Sequence, residues 1–301
     1  MTRHLLAILT TASVAVATLA AQTYVPERVY DSRRRQFSDF EAMLARLTTA
    51  DVVFVGEQHD DSNTHRLERA ILEGLARRSA RVVVSLEMFE RDVAEMLGHF
   101  VDGHIEEQDL LEQARPWPRY QTDYKPLVDF AIEKGWDVVA ANVPRPIAAE
   151  VAKGGLDVLA TKPLEERTLF AAERECRPRG DYFERFAKAM GGHPGGGEAS
   201  TRETAERYYA SQCLKDETMA ESIAQAMAAS EAPGMRRIVV HFNGAFHSDF
   251  GQGTVERTRR RLRDARIVVI SILPVTDIDA VSPNGDERRR ADYLVYTVGK
   301  S

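Results

Sequence analysis

Cysteine is scarce in this sequence, with only two in 301 residues. Cys176 and Cys213, far apart in sequence, do not make a metal site. They leave two alternatives open: one disulfide, or two buried thiols. Positive charge is not in excess either. Forty Lys and Arg against 46 Asp and Glu give a net charge of −6, which argues against a nucleic-acid partner. The basic clusters at 33–35, 257–263 and 288–290 read as solvated faces. There is no Gly-x-Ser-x-Gly elbow, so a serine hydrolase is not indicated. The glycine-rich run at 191–197 follows no strand and lacks the Gly-Lys-Ser/Thr ending of a phosphate loop. It reads as a connection in which His193 could touch a ligand. Only one apolar run is long, Leu5 to Ala21. Arg3 precedes it and Thr18, Ala20 and Ala21 close it, the pattern of a secretory signal peptide cleaved after Ala20 or Ala21. The run is slightly short for a membrane span, and no cysteine offers a lipid anchor there. The expectation is a signal peptide over 1–21 and an exported protein, periplasmic or secreted and not lipid-anchored.

A hydrophobic content of 44% is enough for a proper core. The stretch from Asp51 to His59 organises the rest. Val52, Val53, Phe54 and Val55 read as a strand buried on both faces. Gly56 permits close backbone approach, and Glu57 and His59 follow. Further strands are expected at Arg81–Phe89, Trp136–Asn142, Arg237–Asn243, Ile267–Leu273 and Tyr293–Val298, the last at an edge. Helices alternate with them, beginning with Phe40–Leu47 and Ser62–Arg78. Residues 23–38 read as an extended lead-in, and the stretch around Trp117, Tyr120 and Tyr124 as irregular. Helices are expected over Leu164–Glu175, Asp181–Met190 and Thr201–Ala229. The fold class is therefore α/β, a mainly parallel sheet flanked by helices. It forms a single domain over 22–301 with an inserted helical lobe at about 156–234.

In such sheets ligands bind beyond the carboxyl ends of the strands. Those ends here carry Glu57 and His59, Glu87, Asn142 and Arg145, and His247; of these, Glu57, His59, Glu87, Arg145 and His247 should line one cleft. Both His59 and His247 follow a glycine by three residues. Two imidazoles with Glu87 would suit a divalent transition metal. Glu57 or Glu87 could serve as a general base if the protein is a hydrolase, and Arg145 could pair with an anion. His241, inside a strand, reads as a core histidine. Trp117, Tyr120 and Tyr124 either cap the core or line a flat hydrophobic ligand.

At these residues the chain resembles the haem-binding ChaN family, within the superfamily of TIKI proteases, TraB proteins and erythromycin esterases. The matching stretches are Val53-Phe54-Val55-Gly56-Glu57-Gln58-His59, Ser85-Leu86-Glu87-Met88-Phe89, Asp123-Tyr124-Lys125-Pro126-Leu127, Ala141-Asn142-Val143-Pro144-Arg145 and Gly244-Ala245-Phe246-His247. The resemblance implies haem or iron handling at the cell envelope, with haem as cofactor, a homodimer, and envelope transport proteins as partners. In TIKI-type members the motif histidines and glutamate hold a metal for hydrolysis; here these would be His59, His247 and Glu87, with Glu57 nearby. ChaN-type members hold haem through a tyrosine, with a histidine contact across a dimer. Tyr124 is the first candidate for that tyrosine, ahead of Tyr120, Tyr182, Tyr208 and Tyr209, with Arg145 and His247 also at the cofactor. A haem-binding protein and a metal-dependent hydrolase remain the two readings.

Overall fold

The computed structural model describes residues 25–78, 80–191, 202–229 and 236–299. The expected signal peptide and His193 lie outside them. The chain begins with a hairpin, β1 (Glu27–Asp31) and β2 (Gln36–Ser38), followed by α1 (Phe40–Leu47), β3 (Val52–Glu57) and α2 (Ser62–Arg77). Next come β4 (Arg81–Glu90), α3 (Ala94–Val101), α4 (Glu107–Ala114), α5 (Tyr120–Asp123), α6 (Lys125–Lys134), β5 (Val138–Asn142) and α7 (Arg145–Gly154). Two helices, α8 (Gly180–Gly191) and α9 (Arg202–Ala228), then lead to β6 (Arg237–Gly244), α10 (Thr254–Arg261), β7 (Ile267–Val275) and β8 (Tyr293–Val298). The eight-stranded sheet has the order β2-β1-β8-β7-β3-β6-β4-β5. Neighbours from β8 to β5 run parallel, while β1 is antiparallel to both β8 and β2.

β3 lies at the centre with every residue buried, as its apolar run requires. Its side chains alternate between faces. Val53 and Val55 join the core with Leu44, Leu67, Ile71 and Leu127, under α1, α2 and α6. Val52 and Phe54 join the core with Ile223 and Val255, under α9 and α10. Asp39 and Asp61 cap α1 and α2, accepting hydrogen bonds from the backbone N–H groups of Ala42 and Thr64, which fixes where each helix starts.

Three expectations need correction. β8 is not at the edge, because the lead-in folds into a hairpin and β1 pairs along its length, Val29 opposite Val295. The irregular stretch contains α4, whose start is held by a box of Glu106 and Asp109. The helix expected over Leu164–Glu175 is a single 3₁₀ turn, Glu165–Leu169. Beyond it the backbone donors are taken by side chains of α9. The N–H groups of Ala171, Ala172 and Glu175 donate to Thr218 Oγ1, Glu221 Oε2 and Glu217 Oε1. Those donors replace the intrahelical bonds that a helix would need.

Cys176 and Cys213 form a disulfide with Cα atoms 5.5 Å apart, which ties this irregular segment to α9. It closes a loop of sequence separation 37, so Cys176→Ser should cost about 3–4 kcal/mol by the loop-entropy relation. Urea unfolding of the variant beside the oxidised parent measures it, and an unchanged midpoint would show that α9 holds the segment unaided.

Candidate functional site

The register of three central strands builds the site. Gly56 of β3 sits opposite Asn243 of β6, and Glu57 opposite Gly244. On the other side of β6, Leu86 of β4 pairs with Phe242, which brings Glu87 beside Gly244. The Gly244 N–H donates to Glu87 Oε2 at 2.8 Å. Both glycines are required by close approach. A Cβ on Gly244 would stand 2.6 Å from His59 Nε2, and one on Gly56 would stand 2.8 Å from Ser248 Oγ.

Glu57 is buried, and its Oε1 meets His59 Nδ1 at 2.5 Å and accepts from the Tyr124 hydroxyl at 2.9 Å. Burial would raise this carboxyl, but the hydrogen bond from His59 and the nearby imidazole charge bring it below its ordinary value. Burial likewise opposes charge on His59, yet Glu57 and Glu87 raise its pKa. The His59 side chain is 44% exposed and meets the edge of Trp117 at 5.0 Å between ring centroids.

His247 is placed differently. Its Nδ1 lies 2.7 Å from Asp216 Oδ1 and its Nε2 lies 3.3 Å from Glu87 Oε1. Asp216, on α9, also accepts from Thr254 Oγ1 and the Tyr182 hydroxyl. Burial pulls the His247 pKa down, but the two carboxylates outweigh it and push it up to about 10. Against its own burial, Glu87 is held far below the usual carboxylate range by His247. Glu87, His247 and Asp216 form a buried row of two carboxylates about one imidazole, with Arg257 adding positive charge towards Asp216.

Five residues were expected to share one cleft. Glu57, His59 and His247 line a cleft of about 340 Å³, with Phe186, Met190 and Phe246 as its apolar wall. Glu87 lies directly behind, on His247. Arg145 is elsewhere: its Nε meets Glu90 Oε1 at 2.5 Å and its guanidinium also donates to the Arg115 carbonyl. The sequence places Arg145 at a strand end but does not reveal that Glu90, the last residue of β4, claims it. Tyr124 is also misplaced by the sequence reading. It is 1% exposed with its hydroxyl committed to Glu57, and burial together with Glu57 raises its pKa steeply. His247 has a carboxylate at each ring nitrogen, Asp216 at Nδ1 and Glu87 at Nε2. His241 is a core histidine, bonded to Ser85 Oγ at 2.9 Å and lowered by burial to about 3.

Among the described residues, the cluster whose ligand atoms all lie within 4.8 Å of one another is Glu57, His65 and Glu68, not His59, Glu87 and His247. Sequence reasoning missed His65, Glu68 and Asp216. A signal existed for the first two. They fall on the α2 stripe that also carries Leu67, Ile71, Leu72 and Leu75, and polar residues on an apolar stripe call for buried partners.

The family profile described as "Haem-binding uptake, Tiki superfamily, ChaN" matches residues 43–258. The chain belongs to this family. In structure it is similar to the protein described as "Cofacial heme binding to ChaN of Campylobacter jejuni". That match has a TM-score of 0.66 at 16% identity, over 91% of this chain and 97% of the other, and it shows a shared fold. The type III effector HopBA1 is more distant, with a TM-score of 0.48 at 10% identity over 86% and 92% of the two chains. In sequence the chain is 24% identical over 276 residues to Protein RETICULATA-RELATED 5, chloroplastic, of Arabidopsis thaliana. That match takes in 87% of this chain but only 36% of the plant protein.

The buried ionic row predicts a pH signature. The folded pKa of His247, about 10, is above its unfolded value, so its stabilisation is complete below roughly pH 6.5 and is lost towards pH 10. Glu87 and Asp216 are shifted down, so their contribution is present above roughly pH 4.5 and fades in acid. His247→Gln should therefore cost about 3–5 kcal/mol at pH 6, and the gap from the parent should narrow as pH approaches 10. Urea unfolding at pH 6 and pH 9.5 checks both statements.

Proposed function

We propose that this protein binds haem and handles haem or iron in the cell envelope, with residues 1–21 directing its export. The observation that carries the reading is family membership over 43–258, supported by the fold shared with a protein whose description names haem binding. The cleft at the strand ends suits a flat amphipathic ligand, since Phe186, Met190 and Phe246 face Gln58, His59 and Gln212 across it. Haem supplies an iron atom that takes a phenolate or imidazole ligand. The ligand must be an exposed side chain with a free donor atom. Tyr208 is the described tyrosine with an open surface, 45% exposed. It stands one helical turn before Gln212 on the same side of α9, and Gln212 lines the cleft. His59 is the second candidate. Its Nδ1 is held by Glu57, the arrangement that orients a ligating imidazole and raises its basicity. Tyrosine on one copy and histidine on another would suit a homodimer, with envelope transport proteins as partners.

A hydrolase resting on His59, Glu87 and His247 around a metal has less support. Among the described residues, the ligand atoms of these three do not all come within 4.8 Å of one another, as those of Glu57, His65 and Glu68 do.

Haem added to the apoprotein should give a Soret band. Tyr208→Phe should weaken binding about tenfold or more, roughly 1.4 kcal/mol. Tyr124→Phe should leave the band unchanged while costing about 1–2 kcal/mol of stability, because Glu57 loses a buried donor. Absorption titration and urea unfolding read the two effects. Absence of a Soret band in the parent would end the haem reading.

A further inference from the structure

Glu57 has a second side that the cleft does not use. Its Oε1 is filled by His59 and Tyr124. Its Oε2 is buried without a hydrogen-bond partner, as is Glu68 Oε1. Both carboxylates are at most 1% exposed. The first turns of α2, fixed by the Asp61 cap, deliver His65 and Glu68 to this place one turn apart. Glu68 Oε2 lies 2.9 Å from His65 Nδ1, and Glu57 Oε2 lies 3.8 Å from the same nitrogen.

The far side of the imidazole fixes its tautomer. His65 Nε2 stands 3.1 Å from the His59 carbonyl oxygen, which can only accept, so Nε2 carries the proton. Asp123 Oδ2 lies 3.4 Å beyond, and Arg119 holds it in place at 2.7 Å. With Nε2 donating to that carbonyl, Nδ1 is the ring nitrogen left to face the carboxylate oxygens, and its lone pair is the one an ion would take. Three acceptors thus converge on one point, and a carboxylate backs the imidazole from behind, as metal-ligating histidines are usually backed.

We propose that Glu57, His65 and Glu68 form a buried site for a divalent transition metal of the zinc or manganese type, behind the haem cleft. One imidazole nitrogen and two carboxylate oxygens make a donor set for such ions. Ligand atoms around an ion with bonds of about 2.0–2.2 Å stand roughly 3.0–3.6 Å apart, close to the 2.9 and 3.8 Å found here. A single proton joins two of these acceptors; an ion joins three. It also supplies positive charge beside the buried carboxyl groups of Glu57 and Glu68. His65 and Asp123 also line a second cleft, of about 800 Å³, with Ser62, Arg66 and Glu73. It shares no lining residue with the first cleft. The site does not rest on the haem reading. It touches the haem cleft through Glu57, whose Oε1 orients His59, and through the His59 carbonyl that His65 Nε2 meets.

The test uses the full apoprotein incubated with zinc, manganese or cobalt chloride and then desalted. The parent should retain about one equivalent of metal. Its melting temperature should rise by roughly 5 °C or more, and EDTA should reverse the rise. Cobalt should give d–d absorption bands. His65→Gln and Glu68→Gln should lose the metal and the bands, while His59→Ala keeps both. A parent that retains no metal, shows no cobalt bands and melts unchanged would overturn the site, whatever the variants do. Loss of metal in His59→Ala but not in His65→Gln would overturn it as well, because the ion would then sit in the cleft. Soret titration of the same samples reports on haem separately.

Discussion

The contact between the His59 ring and the backbone of Gly244 is what the rest of the site depends on. Two adjacent parallel strands end in the same way, and the ring from one lies across the bare backbone of the other. A single methyl group at residue 244 would occupy the space of the imidazole. Because that space is empty, His59 can reach Glu57 on one side and the field of Glu87 on the other. The same glycine also gives its N–H to Glu87. Backbone register, steric allowance and carboxylate orientation are thus one constraint.

Charge around this contact is organised in two layers. The inner layer, Glu87, His247 and Asp216, is held together by the shared imidazole and gives the cleft a fixed floor. The outer layer is asymmetric, because Glu57 faces His59 with one oxygen and the start of α2 with the other. Burial alone would neutralise such carboxylates. Glu57 resists through its hydrogen bonds, whereas Glu68, buried beside the negative Glu57, is driven well above the normal range. Neighbouring glutamates are thereby moved in opposite directions by their surroundings.

The sequence exposed some of this and concealed the rest. Runs such as Val52–Val55 and Tyr293–Val298 declare themselves because buried strands must be apolar, and strand ends in a parallel sheet share an edge. This was enough to gather Glu57, His59 and His247. Direction was not legible. Tyr124 and Arg145 were found near the right edge, yet one points into the core and the other out to Glu90. Residues on helices were hidden for a different reason. His65, Glu68 and Asp216 are polar side chains inside helical patterns, where solvent is the default partner. The segment from Leu164 to Glu175 failed for want of long-range knowledge, since its backbone donors are satisfied by side chains some 40 to 50 positions later.

The hairpin at the start of the described chain has a consequence for self-association. Unprotected edge strands recruit other chains by adding strands. Here the outermost strand, β2, has three residues, two of them exposed. The turn before it carries Arg33, Arg34 and Arg35, with Arg35 in the left-handed region. So short and so charged an edge is a poor template for intermolecular pairing. Copies of this protein that meet on that flank do so through side chains, and the sheet stays closed to aggregation there.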